Sequence, residues 1–374
     1  MSIFKHIGIH TTAMAIFAVG CCAVLLGSCS RETDNRYAKM DVAADSMNIA
    51  PYSIVRFDKE VMTIDQNNVD NGLNKLLEKY GDLFDYYCQK CAEVGPAYTD
   101  GNKSTFNANT AKVVKNEVLS NPAYQFFYQA EDSVYANGLE KEMGDLTDGM
   151  RRFHYFFPEA PLPQKVLTMF SCFGPKITVG YNMELMVSLE YYLGSTYKHY
   201  KSVPGIYDYE LINLDRDKMV RDMMLFWAYG CYPMPKDADR LLDQMLYQGK
   251  MMYILEACLP KMDKTQLMGY TKDQWQWSEE NEKNMWDKVK ESKHLYTFDR
   301  LTISKYINPA PHTVFFPYDA TKDFTPEAPG KGGIWLGWRI VSSYMKNNEK
   351  ATLADLMAMT DSQKLLEDSG YNPR

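Results

Sequence analysis

The chain has 374 residues, with 41 Lys and Arg against 48 Asp and Glu, a net charge of −7. Removing a leader with one lysine and no acid makes the balance 40 − 48 = −8, so the basic footprint that nucleic acid demands is absent. The length suits one large domain or two ordinary ones.

The first thirty residues say where the chain goes. After Lys5 an apolar run extends from Ala13 to Leu26, too short for a bilayer that takes roughly 20 apolar residues. A charged start and small residues before the break read as a secretory signal. The sequence Leu26-Gly27-Ser28-Cys29 resembles a bacterial lipobox, in which cleavage leaves a lipid-modified cysteine as the new first residue. Residues 1–28 are thus expected as signal peptide and Cys29 as the acylated residue, palmitate among its chains. Several acyl chains hold a protein on a membrane almost permanently.

Polar, small residues from Ser30 to Ser53 predict a flexible tether over 29–53, holding the folded part roughly 25 to 30 Å from the lipid. A folded domain is expected over 54–374. It opens with Ile54-Val55-Arg56-Phe57 as a strand. Helical periodicity follows over Val69 to Cys91 and Phe126 to Phe157. Between Lys165 and Leu189, β-branched and apolar residues between turn signals at Gly174-Pro175 and Gly180 predict two or three strands. Helices are then expected over Asp217 to Tyr229 and Lys236 to Leu259. Another is expected from Thr271, with a capping box to Gln274 and a Tyr270–Trp275 staple, to about Lys293. Proline breaks Tyr306 to Pro329. Helices close the chain over Gly333 to Met345 and Leu353 to Met359. Six to nine helices around a small sheet make a single α+β domain.

Chemical motifs are scarce. His154, His199, His294 and His312 follow the leader, none at the i, i+4 spacing of a zinc helix, and no HExxH occurs; no metal or cofactor is expected. No Gly-x-Ser-x-Gly elbow is present. Gly330-Lys331-Gly332-Gly333 lacks the lysine-serine ending of a phosphate loop and reads as a turn. Cys88-Gln89-Lys90-Cys91 sits in a helical stretch and reads as buried or idle thiols. Glu279, Glu280 and Glu282 read as a solvated face, and the 27 tyrosines and six tryptophans mainly as core.

A series of segments resembles one family, the GldB-type gliding motility lipoproteins. The carriers are Arg56-Phe57-Asp58, Tyr191-Tyr192-Leu193-Gly194, Met245-Leu246-Tyr247-Gln248-Gly249-Lys250 with Tyr253, and Gly269-Tyr270-Thr271. Ile307-Asn308-Pro309-Ala310-Pro311 and Gly333-Ile334-Trp335-Leu336-Gly337-Trp338-Arg339 complete them. The resemblance implies a lipid-anchored protein of the cell envelope, at the outer membrane, that meets protein partners in a gliding or secretion apparatus and carries no known catalytic residue. It also implies a distant similarity to a metallopeptidase (zincin-like) scaffold. There the ligand helix would fall near Met219 to Leu225, which has no histidine, and Tyr247-Gln248-Gly249 would replace Glu-Gly. The expected working surface is a cleft between the Tyr247-to-Tyr253 helix and the Asn308-to-Pro311 loop, with Gln248, Lys250, Pro309 and Trp338. The alternative is an envelope hydrolase using Asp222 or Glu256 with His294 or His312.

Overall fold

A computed structural model describes residues 35–42, 49–99, 103–309, 313–315 and 328–374. Its four-stranded sheet has the order β1-β2-β4-β3, from Ile54–Val55, Lys165–Met169, Ile177–Val179 and Glu184–Ser188 numbered along the chain. The first three neighbours run parallel and β3 is antiparallel to β4. Central strands buried on both faces carry apolar side chains on both, as Val166 and Leu167 of β2 and Leu185, Met186 and Val187 of β4 do. Their alternation sorts side chains into two cores. Val166, Leu185 and Val187 face the larger cluster, while Leu167, Met169 and Met186 face a smaller one around Phe57, Leu73, Phe84 and Tyr87.

The smaller core is roofed by α1 (Phe57–Met62), α2 (Val69–Tyr80), α3 (Asp82–Tyr86) and α4 (Ala108–Val113). The strand expected over residues 54–57 ends at Val55, and Phe57 already begins a helix. The helix expected to Cys91 breaks at Gly81, whose φ is +52°, and finishes as a π-turn over Tyr87–Cys91. Cys88 and Cys91 are free and buried there; burial pushes the Cys91 thiol up to about 12.

The larger core is built by α5 (Pro122–Val134), α6 (Glu140–Phe156), α7 (Met219–Cys231), α8 (Leu241–Cys258), α9 (Lys264–Met268), α10 (Lys272–Glu291), α11 (Arg300–Ile307), α12 (Gly332–Asn347), α13 (Leu353–Ala358) and α14 (Ser362–Ser369). The mostly helical α+β domain expected from the pattern is the fold observed. The Thr271–Gln274 capping box forms, while Tyr270 and Trp275 both pack on Trp335. Glu282 departs from the solvated face assigned to it: Arg339 donates to it from α12 at 3.1 Å and the Tyr371 hydroxyl at 2.7 Å. It stands where α10 meets α12 rather than on the outward side.

Buried almost all round, α8 is the axis of this half; a helix apolar on every side belongs inside. It lies against α12, with Gly249 and Gly337 at the contact. A Cβ at Gly337 would overlap the Met245 carbonyl, and one at Gly249 the Gly337 carbonyl carbon.

The tether expected over 29–53 is not free along its length. Asn35 is buried and its amide donates to the Tyr253 carbonyl at 2.9 Å and to Glu256 at 3.2 Å. Arg36 donates to the carbonyls of Met345, Asn348 and Ala351, and Arg152 to those of Tyr37 and Met40. Tyr52 is held by Thr147 and Pro163. Side-chain bonds to backbone carbonyls fix this segment, and such bonds leave no periodic trace in sequence. Cys29 lies outside the described residues.

Replacing Gly337 with alanine is expected to destabilise the protein by about 2 kcal/mol or more, because a backbone overlap outweighs the ~1 kcal/mol that alanine gains in a helix. Gly144→Ala, with nothing within 4 Å of its new methyl, should be neutral or stabilising. Urea denaturation of both variants checks this.

Candidate functional site

Two concavities flank the first turn of α8. On one side a pocket of about 320 Å³ is lined by Tyr232, Arg240, Asp243, Tyr247, Lys250 and Met359. On the other a groove of about 460 Å³ is lined by Asp239, Gln244, Phe298, Ile303 and Asn308. Tyr247 and Lys250, three residues apart on α8, share the pocket, as i, i+3 neighbours must. The Tyr247 hydroxyl donates to the Tyr232 carbonyl at 2.8 Å.

The other expected cleft residues are dispersed around α8. Gln248 points at α7, where its side-chain oxygen accepts from the Tyr229 hydroxyl. Tyr253 is buried, with its carbonyl on Asn35. Trp338 is buried on α12, packed edge-on against Trp275. Asn308 and Pro309 are exposed at the end of α11, Asn308 in the groove; Pro311 and His312 lie outside the described residues. The single cleft is therefore two concavities and a core, because each 100° step around a helix faces a different neighbour.

Lys250 is the unusual group. Its ammonium is buried, donates to the Met359 carbonyl, and has no carboxylate within ion-pair distance among the described residues. Burial lowers its pKa to about 8. A buried cation without a counter-charge costs stability.

The residues of the hydrolase alternative stand in separate networks. Asp222 accepts from Lys176 at 2.7 Å, from Arg221 at 2.7 Å and from the Tyr192 hydroxyl at 3.0 Å. Burial opposes its charge, yet Arg221 and Lys176 hold its pKa down to about 2; it stays a carboxylate. Glu256 holds Asn35 and pairs with Lys264 at 3.2 Å. His294 Nδ1 lies 2.9 Å from the Tyr306 hydroxyl. At residues 219–225, where the peptidase-like scaffold would place its ligand helix, Arg221 and Asp222 bond to each other. Among the described residues no group of three or more His, Cys, Asp or Glu side chains could hold a metal ion.

A second charged assembly went unread in the sequence. Asp58 on α1 accepts from Arg56 at 2.7 Å and from the Thr168 hydroxyl. Burial opposes ionisation of Asp58, but Arg56 wins and its pKa falls. Glu131, buried opposite, is pushed well up by burial and then by the charge of Asp58. Glu190 accepts from the Ser171 backbone and hydroxyl at 2.7 and 2.8 Å, yet full burial raises it to about 7. The Arg56-x-Asp58 spacing was visible; partners more than seventy residues away were not.

A family model described as gliding motility protein GldB matches residues 38–373. The chain belongs to that family. The family is one of gliding motility lipoproteins, which associates the chain with the cell envelope. Its match begins at Ala38, within the docked segment and well before β1. No curated protein and no solved structure matches the chain.

Two outcomes follow from these charges. Lys250→Met removes the uncompensated cation and is expected to raise the urea midpoint at pH 7. Glu190 has a folded pKa above its unfolded value, so its stabilisation is complete below about pH 4.5 and is lost as pH rises through about 7. Stability should therefore rise by up to about 3 kcal/mol from pH 8 to pH 5, and Glu190→Gln should flatten that slope in denaturation at each pH.

Proposed function

We propose that this chain is a non-catalytic, lipid-anchored component of the envelope, held by acylated Cys29, that docks a protein of a gliding or secretion apparatus at the first turn of α8. The observation that carries this reading is an exposed apolar run at the groove. Tyr296, Phe298 and Leu301 are 48%, 66% and 75% exposed, and Phe298 lines the groove together with Asn308. Large side chains left in water at the rim of a concavity favour a protein partner, since aromatic anchors dominate such interfaces.

The pocket on the other flank supports the same end of the molecule. Lys250 sits there at a cost to stability, and a group kept at such a cost belongs to function more readily than to folding. Tyr247 lies beside it. The outer-membrane location and the dependence on Cys29 belong to this reading.

Affinity recovery from the organism's own membranes tests it, followed by mass spectrometry. The double variant Phe298→Ser/Leu301→Ser, altered only at exposed positions, should keep the urea midpoint and lose at least tenfold of the co-recovered motility or secretion proteins. Unchanged recovery would exclude this surface. Recovery of no partner by the unaltered protein would exclude the docking role.

A further inference from the structure

The docked segment near the N-terminus fixes more than stability. Asn35 is 1% exposed, bonded to the last turns of α8 through Tyr253 and Glu256. Next to it Arg36 reaches the final carbonyls of α12 and that of Ala351. The Tyr37 hydroxyl donates to the same Ala351 carbonyl at 2.7 Å, and its ring meets Phe156 edge-on. The chain is thus gripped by α6, α8 and the α12–α13 turn from its thirty-fifth residue onward.

Only residues 30–34 separate this grip from Cys29. A chain spans at most about 3.5 Å per residue, so the six steps from Cys29 to Asn35 reach no further than about 20 Å. A 24-residue coil would instead wander about 25 to 30 Å on average and in every direction.

We infer that the protein presents a fixed face to the bilayer. The C-terminal ends of α8 and α12, with the turn at residues 348–351, lie against the lipid headgroups, and the first turn of α8 points away from them. This rests on the acylation of Cys29 proposed above. The two helices run the same way, since Gly333 packs on Met245 near their starts and Ser342 shares a small cleft with Glu256 near their ends. From Glu256 to Gln244 is twelve residues, about 18 Å along α8. The groove with Phe298 and Asn308 is accordingly carried to the distal side, where a protein partner can reach it while the anchor holds.

The test uses the full lipoprotein in phosphatidylethanolamine–phosphatidylglycerol vesicles with an energy-transfer acceptor on the headgroup. Cys172 and Cys231, the half-exposed thiols, are first replaced by serine, and one donor dye is placed through Lys350→Cys or Lys236→Cys. Both positions are exposed; the first adjoins Ala351 and the second precedes α8. Transfer at residue 350 should be at least twofold that at residue 236. In Asn35→Ala/Arg36→Ala, still folded and vesicle-bound, the two should converge. Equal transfer at both positions in bound protein with the grip intact would overturn the fixed face while leaving the anchor standing. Failure of the unaltered protein to float with vesicles, with no acyl mass on Cys29, would overturn the anchor and the fixed face together.

Discussion

The approach of α8 to α12 at Gly249 and Gly337 is the constraint on which the larger half of the molecule depends. Backbone there meets backbone without room for a methyl group, so two long helices come closer than side chains would allow. That closeness sets everything around them. Gly333 lets the start of α12 rest on Tyr306 of α11, which places the groove beside the first turn of α8. Trp335 and Trp338, projecting from the same helix, are packed under Trp275 of α10. At the other end, the aligned C-termini of the two helices offer the carbonyls that Asn35 and Arg36 take up. One contact therefore organises both the gripping end and the exposed end.

The smaller half shares β2 and β4 with the larger and is further tied to it by charge. The Arg56 guanidinium stands within ion-pair distance of three carboxylates, the buried Asp58 at 2.7 Å, the buried Glu131 at 3.9 Å and the half-buried Asp132 at 3.9 Å, the last also paired with Lys59. The two buried carboxylates cannot both ionise there at low cost, so the pKa of Glu131 is pushed up while Asp58 keeps the guanidinium and the Thr168 hydroxyl. Since Asp58 comes from α1, Glu131 from α5 and Thr168 from β2, this shared charge joins three elements that sequence separates widely. Asp222 does the same for α7, with Lys176 before β3 and Tyr192 after β4.

How much of this was legible depends on the range of each interaction. Local rules served well: the Thr271 cap, the strands between Lys165 and Leu189, expected as two or three and found as three, and most amphipathic helices appear close to where periodicity placed them. Gly81 breaks one expected helix, and the stretch between Val134 and Glu140 splits the helix expected over Phe126 to Phe157 into α5 and α6; neither break shows in the sequence because apolar spacing continues across it. The docked segment at residues 35–42 was missed for a different reason. Its order comes from Asn35, Arg36 and Arg152 bonding to carbonyls over a hundred residues away, and a polar stretch so held looks like a tether. The expected cleft failed by geometry: Tyr247, Gln248 and Tyr253 are neighbours along α8, yet they face a pocket, α7 and the core.

Where the remaining polar chemistry goes bears on what the domain does. Asp222, Glu256 and His294, the side chains named for the hydrolase alternative, are each committed to a structural partner in a different place. What flanks the first turn of α8 is two concavities, one with the exposed Phe298 in its lining and the other reaching the buried Lys250, which pairs with no carboxylate among the described residues. The distance of this end from the docked segment at residues 35–42 matters equally, because on the proposed reading a docking face pressed on lipid would be closed to proteins. The parallel pair α8 and α12 keeps the two apart: at one end it takes up Asn35 and Arg36, and at the other it carries the groove lined by Phe298 and Asn308.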